Sequence, residues 1–306
     1  MSIYGRLKAK GSNGFGYSST AEQVTTDISL GGKNVLITGC NSGLGKETAR
    51  VLALRGARIL GTARTQEKAA DVCKNMGNGS KGFACDLSSP KSIRSGIESI
   101  KSDAKKLDVI ICNAGIMALP RLEQAYGYEL QFFTNHIGHF LLVTGLLDKL
   151  ADNGRVVMLS SAAHTMAPPE GIAFDNLDGK KKYKPWTAYG QSKMANLLFA
   201  KELARRFQGT NKTANAVHPG VIKTNLSRHM NPVANFVFSL AQPLALKSIP
   251  EGAATQCYAA VHPAMNGVSG QYLADCNISP SRADGDNEEL AKNLWVKSEE
   301  IVMNCK

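Results

Sequence analysis

The sequence predicts an α/β fold in which one domain is built on a doubly wound parallel sheet. Two observations support this prediction: short apolar runs alternate with stretches of helical periodicity, and several runs are followed directly by Gly, Asp, Asn or Ser. Such alternation is typical of βαβ units whose strands are buried on both faces, and right-handed crossovers favour a doubly wound sheet. No Pro/Ser-rich or highly charged linker interrupts residues 33–276. We therefore expect one domain there, between an N-terminal extension (1–32) and a C-terminal tail (277–306).

The elements can be assigned in chain order from these runs. The run NVLIT at 34–38 is predicted as the first strand, and the apolar residues after Gly43 keep a helical spacing until Gly56. Further strands are predicted at 57–62, 82–85, 109–112, 155–159, 214–217 and 270–273. Helices are predicted at 43–54, 90–105, 128–150, 187–207 and 251–261.

The charge of the chain points to no macromolecular partner. Its 306 residues carry a net charge of +11, but the basic residues are scattered, and the densest run, 180–182, is interpreted as a solvated loop. No helix-turn-helix, zinc-finger or aromatic RNA-binding signature occurs, so we predict no nucleic-acid partner. The histidines, including His136 and His139, show no metal-ligand spacing and are interpreted as packing or hydrogen-bonding groups. No metal site is predicted.

Cysteine usage and the N-terminus bear on the compartment. The seven cysteines are odd in number, irregularly spaced and without a Cys-x-x-Cys, which favours a reducing compartment such as the cytoplasm. Residues 1–16 lack the apolar centre of a secretory signal. They contain Arg6, Lys8 and Lys10, with no acidic residue before Glu22, so import into an organelle stays open.

A glycine-rich turn follows the first predicted strand. The segment Thr38-Gly39-Cys40-Asn41-Ser42-Gly43-Leu44-Gly45 spaces its glycines as G-x-x-x-G-x-G. Glycine lets the backbone approach a pyrophosphate closely, and the helix that follows offers unpaired N–H groups and a positive dipole end. A strand before the turn and a helix after it predict a dinucleotide site. Its predicted residues are Gly39, Asn41, Ser42, Gly43, Leu44 and Gly45.

The end of the second predicted strand favours NADP(H) over NAD(H). An acidic residue here would bind the ribose hydroxyls of NAD, but the chain has Ala63 followed by Arg64. A guanidinium suits a 2′-phosphate through paired, charge-assisted hydrogen bonds. Two more strand ends are expected to face the nucleotide. Asp86 and Leu87 would lie near the adenine, and Asn113, Ala114 and Gly115 near a ribose.

Tyr189 and Lys193 are the candidate proton-transfer pair. Four residues apart on a predicted helix, they lie on one face, one turn from each other. An ammonium beside a phenol favours the ionised form, so we expect Lys193 to lower the pKa of Tyr189. A phenol that titrates closer to neutrality can pass a proton to or from a substrate oxygen.

Taken together, these motifs resemble those of the short-chain dehydrogenase/reductase family, which has a Rossmann-like fold. In that family's order, the chain has Thr38-Gly39-x-x-x-Gly43-x-Gly45, Asn113-Ala114-Gly115, Ser160-Ser161, Tyr189-x-x-x-Lys193 and Pro219-Gly220. The segments Thr134-Asn135-His136-x-Gly138-His139-Phe140 and Ser192-Lys193-x-Ala195-Asn196 are similar to retinol-dehydrogenase-like members and to plant chloroplast-envelope relatives. Cys40 and Cys112 stand where relatives often carry small or amide residues, which raises the question of thiol oxidation at the site.

The resemblance implies a role for each matching residue. Tyr189 would be the general acid or base, and Lys193 would also hydrogen-bond the nicotinamide ribose. Ser161 would donate a hydrogen bond to the carbonyl oxygen, and Asn135 would hold a water that links Lys193 to solvent. Pro219, Gly220 and Thr224 would complete the cofactor site.

The residues around this site suggest an apolar substrate. Residues 225–250 are rich in apolar side chains and are predicted to form a lid over the substrate, although an ordinary buried helix fits the same pattern. With Lys223, Arg228 and Lys247, a peripheral membrane contact is a further alternative. The insert between Ser161 and Tyr189, with Pro168, Pro169, Phe174, Leu177 and Trp186, is expected to roof the site.

These expectations converge on an NADP(H)-dependent oxidoreductase for a lipophilic aldehyde, ketone or alcohol. The alternative is a redox-sensing binding module that uses NADP(H) occupancy to act on a protein partner. The family resemblance also makes a homodimer plausible, paired through the helices that carry Asn135 and Tyr189.

Overall fold

A central eight-stranded sheet organises the protein. The computed structural model describes residue 5, residues 8–222 and residues 246–305. The strands across the sheet follow the order β10-β9-β8-β7-β4-β1-β2-β3, and only the β9–β10 pair is antiparallel. β5 and β6 form a separate two-stranded sheet. The strands are β1 Asn34–Thr38, β2 Arg58–Ala63, β3 Lys81–Ala84, β4 Leu107–Cys112, β5 Gln124–Ala125, β6 Tyr128–Glu129, β7 Leu150–Leu159, β8 Thr213–His218, β9 Tyr272–Ala274 and β10 Asn277–Ile278.

Helices cover both faces of the sheet, and each face has its own buried apolar cluster. The α-helices are α1 Ala21–Val24, α2 Gly43–Leu54, α3 Gln66–Cys73, α4 Pro90–Asp103, α5 Leu130–Phe132, α6 Gly138–Leu146, α7 Pro185–Arg206, α8 Ile249–Val261 and α9 Glu288–Asn304. The predicted single-domain, doubly wound α/β fold is therefore confirmed. Within the described ranges, no helix is both long and apolar enough to cross a membrane.

The helical segment predicted over roughly 128–150 is present, because residues 130–149 are helical without interruption. Strand β6 takes the first two residues of the range, and the helix then passes from the three-residue α5 through a π-helical segment Phe133–Ile137 and α6 to a short 3₁₀ turn, before β7 begins. Most of its residues are buried, so their periodicity does not reveal these changes of helix type. A π-helical insertion of this kind is frequent at functional sites.

Besides the four-residue α1, two helices were not assigned from the sequence. α3 begins at a Thr65 cap directly after β2, and only Ala69 and Cys73 on it are buried. α9 lies in the region predicted as a C-terminal tail and packs against α7. Its Trp295 is buried against Phe140 and Phe199.

The order of the strands determines where a ligand can bind. From β1 the chain adds β2 and β3 on one side, then crosses back to place β4 on the other side of β1. A crevice opens at such a switch point, outside the carboxyl ends of the two strands. Gly39 follows β1 there and Asn113 follows β4.

Most of the predicted lid and Thr224 fall in 223–245, outside the described residues. The chain is described again from Leu246, and Lys247 then forms a parallel bridge with Ile222. Lys247 is 2% exposed, and its Nζ lies 2.7 Å from Asp275 Oδ1. Its charge is therefore engaged inside the protein, which argues against its predicted role in a membrane contact.

Candidate active site

A cavity of about 550 Å³ opens at the carboxyl edge of the sheet. The loops after β1, β2, β3, β4, β7 and β8 contribute to it, together with the N-terminal half of α7. It brings together nearly all the residues predicted for the site. These are Gly39, Asn41, Ser42, Gly43, Leu44, Gly45, Arg64, Asp86, Leu87, Asn113, Ala114, Gly115, Ser161, Tyr189, Lys193, Pro219 and Gly220.

The glycine-rich turn has a conformation that needs its glycines. Gly39 and Gly43 have φ angles of 67° and 52°, a region that other residues seldom adopt. A Cβ atom on Gly45 would lie 2.3 Å from the Gly39 carbonyl oxygen and 2.5 Å from Asn113 Nδ2. α2 begins directly after Ser42, whose side chain makes no capping hydrogen bond to the described residues. The first N–H groups of α2 thus remain available to an anion.

Basic side chains flank the end of the cavity beyond β2. Arg64 and Lys68 both line it, and both are exposed. Among the described residues, neither the Arg64 nor the Lys68 side chain has a hydrogen bond or an ion pair. On the neighbouring loop, the Asp86 carboxylate accepts hydrogen bonds from the backbone and hydroxyl of Ser88. Two unpaired cations beside a helix N-terminus suit a phosphorylated ligand.

A hydrogen-bonded chain connects this turn with the π-helical segment. The Thr38 hydroxyl accepts from the backbone N–H groups of Asn113 (2.9 Å) and Ala114 (3.0 Å). The Thr38 hydroxyl then donates to His139 Nε2 at 2.9 Å, while His139 Nδ1 donates to the Asn135 carbonyl at 2.8 Å. Burial lowers the pKa of His139 to about 4, which keeps it neutral as this chain requires. Thr38 belongs to the glycine-rich segment identified in the sequence, but its bond to His139 was not predictable because the two residues are 101 positions apart.

Ser161, Tyr189 and Lys193 converge on the cavity as the motif spacing predicts. Tyr189 and Lys193 lie one turn apart on α7, and Lys193 Nζ is 5.6 Å from the centre of the Tyr189 ring. Ser161, which follows β7, forms a side-chain hydrogen bond with Tyr189. The Lys193 ammonium donates to the Leu159 carbonyl at 2.9 Å. A phenol, a hydroxyl and an ammonium therefore share one wall of the cavity.

The expectation that Lys193 lowers the pKa of Tyr189 is not met in the structure. Burial raises the pKa of Tyr189 to about 12, and the Ser161 hydrogen bond only partly opposes this. Burial also lowers the pKa of Lys193 to about 8. The i,i+4 spacing correctly placed the two groups on one face, but it carried no information about how deeply both would be buried.

Asn135 lies behind the cavity wall instead of lining it. It is fully buried in the π-helical segment, where Nδ2 donates to the Ile116 carbonyl and to Ser192 Oγ, both at 2.9 Å. Its Oδ1 accepts from the Ile116 N–H at 2.8 Å. These bonds fix the loop after β4, next to Gly115. Its predicted role in holding a water stays a prediction.

Apolar residues beyond the predicted catalytic and cofactor residues also line the cavity. Met166, Trp186 and Val221 remain 52%, 41% and 46% exposed there, and of these Met166 and Val221 were not assigned from the sequence. Of the five residues named in the insert predicted to roof the site, Trp186 is the one that lines the cavity in the described part of the chain, while Leu177 is buried in the core. The other unassigned lining residues include Met117, Thr134, Thr165, His218 and Ile222.

Known proteins are similar in sequence to this chain over nearly its whole length. The family model described as short chain dehydrogenase matches residues 33–175 and 176–234. The chain is 43% identical over 318 aligned positions to the chloroplastic short-chain dehydrogenase TIC 32 B of Brassica napus, covering 99% of both proteins. It is 40% identical to retinol dehydrogenase 12 of Mus musculus, covering 91% of this chain and 89% of that protein.

Solved structures agree with this assignment. An uncharacterised protein from Mycobacterium paratuberculosis superposes with a TM-score of 0.75 at 32% identity, covering 94% of this chain and 98% of that chain. The Pseudomonas aeruginosa RhlG/NADP active-site complex shares the fold, with a TM-score of 0.64 at 24% identity over 80% of this chain and 95% of that chain. The predicted resemblance is confirmed: the chain belongs to the short-chain dehydrogenase/reductase family, oxidoreductases that act on CH–OH and C=O groups with nicotinamide cofactors.

Proposed function

We propose that the protein is an NADP(H)-dependent oxidoreductase for a lipophilic carbonyl or alcohol, with Tyr189 as the general acid or base. The observation that carries the proposal is the shared cavity: Ser161, Tyr189 and Lys193 line the same space as the glycine-rich turn. A proton-transfer group and a dinucleotide site are both needed for hydride transfer to a carbonyl, and here they are adjacent.

The residues around the cavity fit an NADP nucleotide. The contact of Gly45 with Gly39 leaves no room for a side chain, so the turn can accept a pyrophosphate at its backbone. Arg64 and Lys68 would hold the 2′-phosphate, because both are unpaired cations and Ala63 supplies no competing carboxylate. Asp86 and Leu87 would border the adenine, and Asn113, Ala114 and Gly115 the ribose. Pro219, Gly220 and Thr224 would complete the nicotinamide end.

The chemistry divides between the cofactor and the protein. When bound, the nicotinamide ring supplies or accepts the hydride. Tyr189 gives its proton to the carbonyl oxygen during reduction, while the Ser161 hydroxyl donates a hydrogen bond to the same oxygen as charge develops there. The Lys193 ammonium stabilises the phenolate that remains. Asn135 would hold the water through which Lys193 regains a proton.

The raised pKa of Tyr189 suits the reduction step at neutral pH. A phenol whose pKa is raised to about 12 stays protonated there, and this is the form that can donate to a carbonyl. Alcohol oxidation needs the phenolate, so we expect its rate to rise with pH across the neutral and alkaline range.

Apolar side chains at the mouth of the cavity support a lipophilic substrate. Met166, Trp186 and Val221 all present apolar surface there, and covering it with a substrate would stabilise the complex by about 25 cal/mol per Å². The resemblance to retinol dehydrogenases points the same way. A pure sensor would have no need for the phenol, hydroxyl and ammonium on one wall, which makes the alternative function the weaker candidate.

The proposal is tested by following NADPH consumption with a panel of carbonyl compounds. We expect hydrophobic aldehydes and ketones to give kcat/KM values at least about tenfold above those of short polar ones, since each buried CH₂ contributes about 0.8 kcal/mol. A preference for polar substrates would contradict the apolar site. Tight NADPH binding without turnover on any carbonyl would instead support the sensor function.

The Arg64→Ala variant tests the cofactor preference. Because a hydrogen bond to a charged group contributes about 1.5–3 kcal/mol, KM for NADPH should rise roughly 10- to 100-fold while KM for NADH stays nearly constant. Steady-state kinetics with both cofactors measures this. Lys74→Ala is a matched control, because Lys74 is exposed just beyond α3 and does not line the cavity. If KM rises equally for NADPH and NADH, Arg64 does not bind the 2′-phosphate.

A further inference from the structure

The thiols of Cys40 and Cys73 lie together beneath the cofactor cavity. Both are free, and both are buried, at 0% and 3% exposure. A Cβ atom on Gly61 would lie 2.6 Å from Cys40 Sγ and 2.8 Å from Cys73 Sγ. The two sulfurs therefore fill the space that any other residue at position 61 would occupy.

The two thiols have different surroundings. The neighbouring Cys40 thiol and the Gly61 backbone lower the pKa of Cys73, and burial opposes them only in part. The Cys40 thiol itself donates to the Thr62 carbonyl at 3.4 Å. The contact with Cys73, together with burial, raises the pKa of Cys40. The thiolate form is the nucleophile in thiol oxidation, so Cys73 is the residue that would react first. Cys40 is then in contact with it and can attack second.

The pair connects two walls of the cofactor site. Cys40 lies between Gly39 and Asn41, both of which line the cavity. Cys73 is the last residue of α3, the helix that begins two residues after Arg64 and carries Lys68. A covalent bond between the sulfurs would tie the glycine-rich turn to the helix that presents the proposed 2′-phosphate ligands.

We propose that Cys40 and Cys73 are a modification site, where a peroxide forms a disulfide that weakens NADP(H) binding. The Cys73 thiolate attacks one peroxide oxygen, which breaks the O–O bond and leaves a sulfenic acid and hydroxide; the hydroxide takes up a proton to become water. Cys40 then attacks the Cys73 sulfur, the S–S bond forms, and a second water leaves. Two thiols are oxidised and one hydrogen peroxide is reduced to two waters, so atoms and electrons balance.

A disulfide between Cys40 and Cys73 would change the glycine-rich turn, because the S–S distance in a disulfide is shorter than the distance between two thiol sulfurs in contact. An S–S bond of about 2.05 Å with its restricted dihedral draws the two backbones toward each other. The turn conformation depends on close contacts at Gly39 and Gly45, so it has little freedom to absorb such a shift. Hydrogen peroxide is small, and Asp71 on α3 and Lys74 just beyond it are exposed, so the segment that carries Cys73 borders the solvent from which peroxide would enter.

The first test is chemical. The purified protein is treated with hydrogen peroxide, its remaining thiols are alkylated, and the digest is analysed by mass spectrometry. We expect a Cys40–Cys73 peptide pair in the wild type and none in Cys73→Ser. Cys73→Ala is a second variant in case the buried serine impairs folding. Cys305→Ser, at the end of the chain, should still form the bridge. Failure of the wild type to form it would overturn the proposal.

The second test measures binding alone, so that it does not depend on turnover. We expect oxidised wild type to bind NADPH about tenfold more weakly than reduced wild type, with thioredoxin or dithiothreitol restoring the affinity. Peroxide should leave the affinity of Cys73→Ser unchanged. Equal affinity of the oxidised and reduced wild type would overturn the regulatory role. If even the reduced protein fails to bind NADPH, the proposed function fails instead.

Thermodynamic linkage provides an independent readout. If NADP⁺ binds the reduced protein tenfold more tightly, saturating NADP⁺ must raise the reduction potential of the Cys40–Cys73 couple by about 30 mV. Equilibration in glutathione buffers with and without NADP⁺ measures this shift. A potential that does not respond to NADP⁺ would contradict the coupling between the disulfide and the cofactor site.

Discussion

Tyr189→Phe should lower kcat for carbonyl reduction by about 10²- to 10⁴-fold, the usual contribution of a positioned general acid. The substitution removes one oxygen, while the ring can keep its edge-to-face contact with Trp186 at 6.1 Å between centroids. NADPH affinity should therefore change little. The defect is measured by steady-state kinetics with the best substrate of the panel, together with an NADPH binding titration.

A second tyrosine provides a matched control for this substitution. Tyr183 lies six residues before Tyr189, and its hydroxyl donates to the Leu119 carbonyl at 2.6 Å, away from the cavity lining. Tyr183→Phe loses this bond and the one that the same hydroxyl accepts from Gln131 Nε2 at 3.2 Å. It should therefore cost about 1–3 kcal/mol of stability and leave kcat near the wild-type value. If Tyr189→Phe turns over as fast as Tyr183→Phe, then Tyr189 is not the acid.

The location of the candidate site was predictable because parallel strands all end at one edge of their sheet. Two of the predicted site residues, Gly39 and Asn113, directly follow a predicted strand, and two others, Ser161 and Pro219, come one residue later. The strands that precede them, β1, β4, β7 and β8, are consecutive neighbours in the sheet. Strand identity and turn chemistry are local properties of the sequence. The crossover rule and the family resemblance predicted a doubly wound sheet. The order of its strands, which is seen only in the structure, brings the local motifs to one shared cavity.

The electrostatics of the site were not predictable in the same way. The direction of the Tyr189 pKa shift depends on whether desolvation or a neighbouring charge dominates. Every residue of α7 from Tyr189 to Ala200 is buried, by elements distant in the sequence. The i,i+4 spacing therefore predicts that Lys193 lies near Tyr189. The burial that determines the direction of the Tyr189 pKa shift arises only from tertiary packing.

Tertiary packing also explains why some helical features were not predicted from the sequence. α3 carries only two buried residues in a polar sequence, which leaves its apolar periodicity too weak to detect. Without α3, nothing connected Cys73 with Cys40, 33 positions earlier. The changes of helix type within the predicted 128–150 segment were missed as well, because most of its residues are buried and their pattern does not separate α-helical from π-helical turns.

Gly45→Ala should weaken NADPH binding by roughly 5- to 150-fold, because forcing one extra methyl into a packed site usually costs 1–3 kcal/mol. The new Cβ would meet the Gly39 carbonyl oxygen at 2.3 Å and Asn113 Nδ2 at 2.5 Å. Neither neighbour can move easily, because Gly39 is backbone and Asn113 Nδ2 donates to the Thr38 carbonyl at 2.8 Å. The turn must shift, and the first N–H groups of α2 shift with it. A binding titration, beside a thermal melt that confirms folding, measures the effect.

Gly31→Ala separates this steric effect from the general effect of replacing a glycine. Gly31 is exposed, and a Cβ atom there would have no neighbour within 4 Å. We therefore expect wild-type NADPH affinity in that variant. If Gly45→Ala and Gly31→Ala bind NADPH equally well, the turn does not hold the pyrophosphate. If Gly45→Ala melts early but still binds NADPH with full affinity, the contact with Gly39 supports the fold alone, and the nucleotide site must be sought beyond the turn.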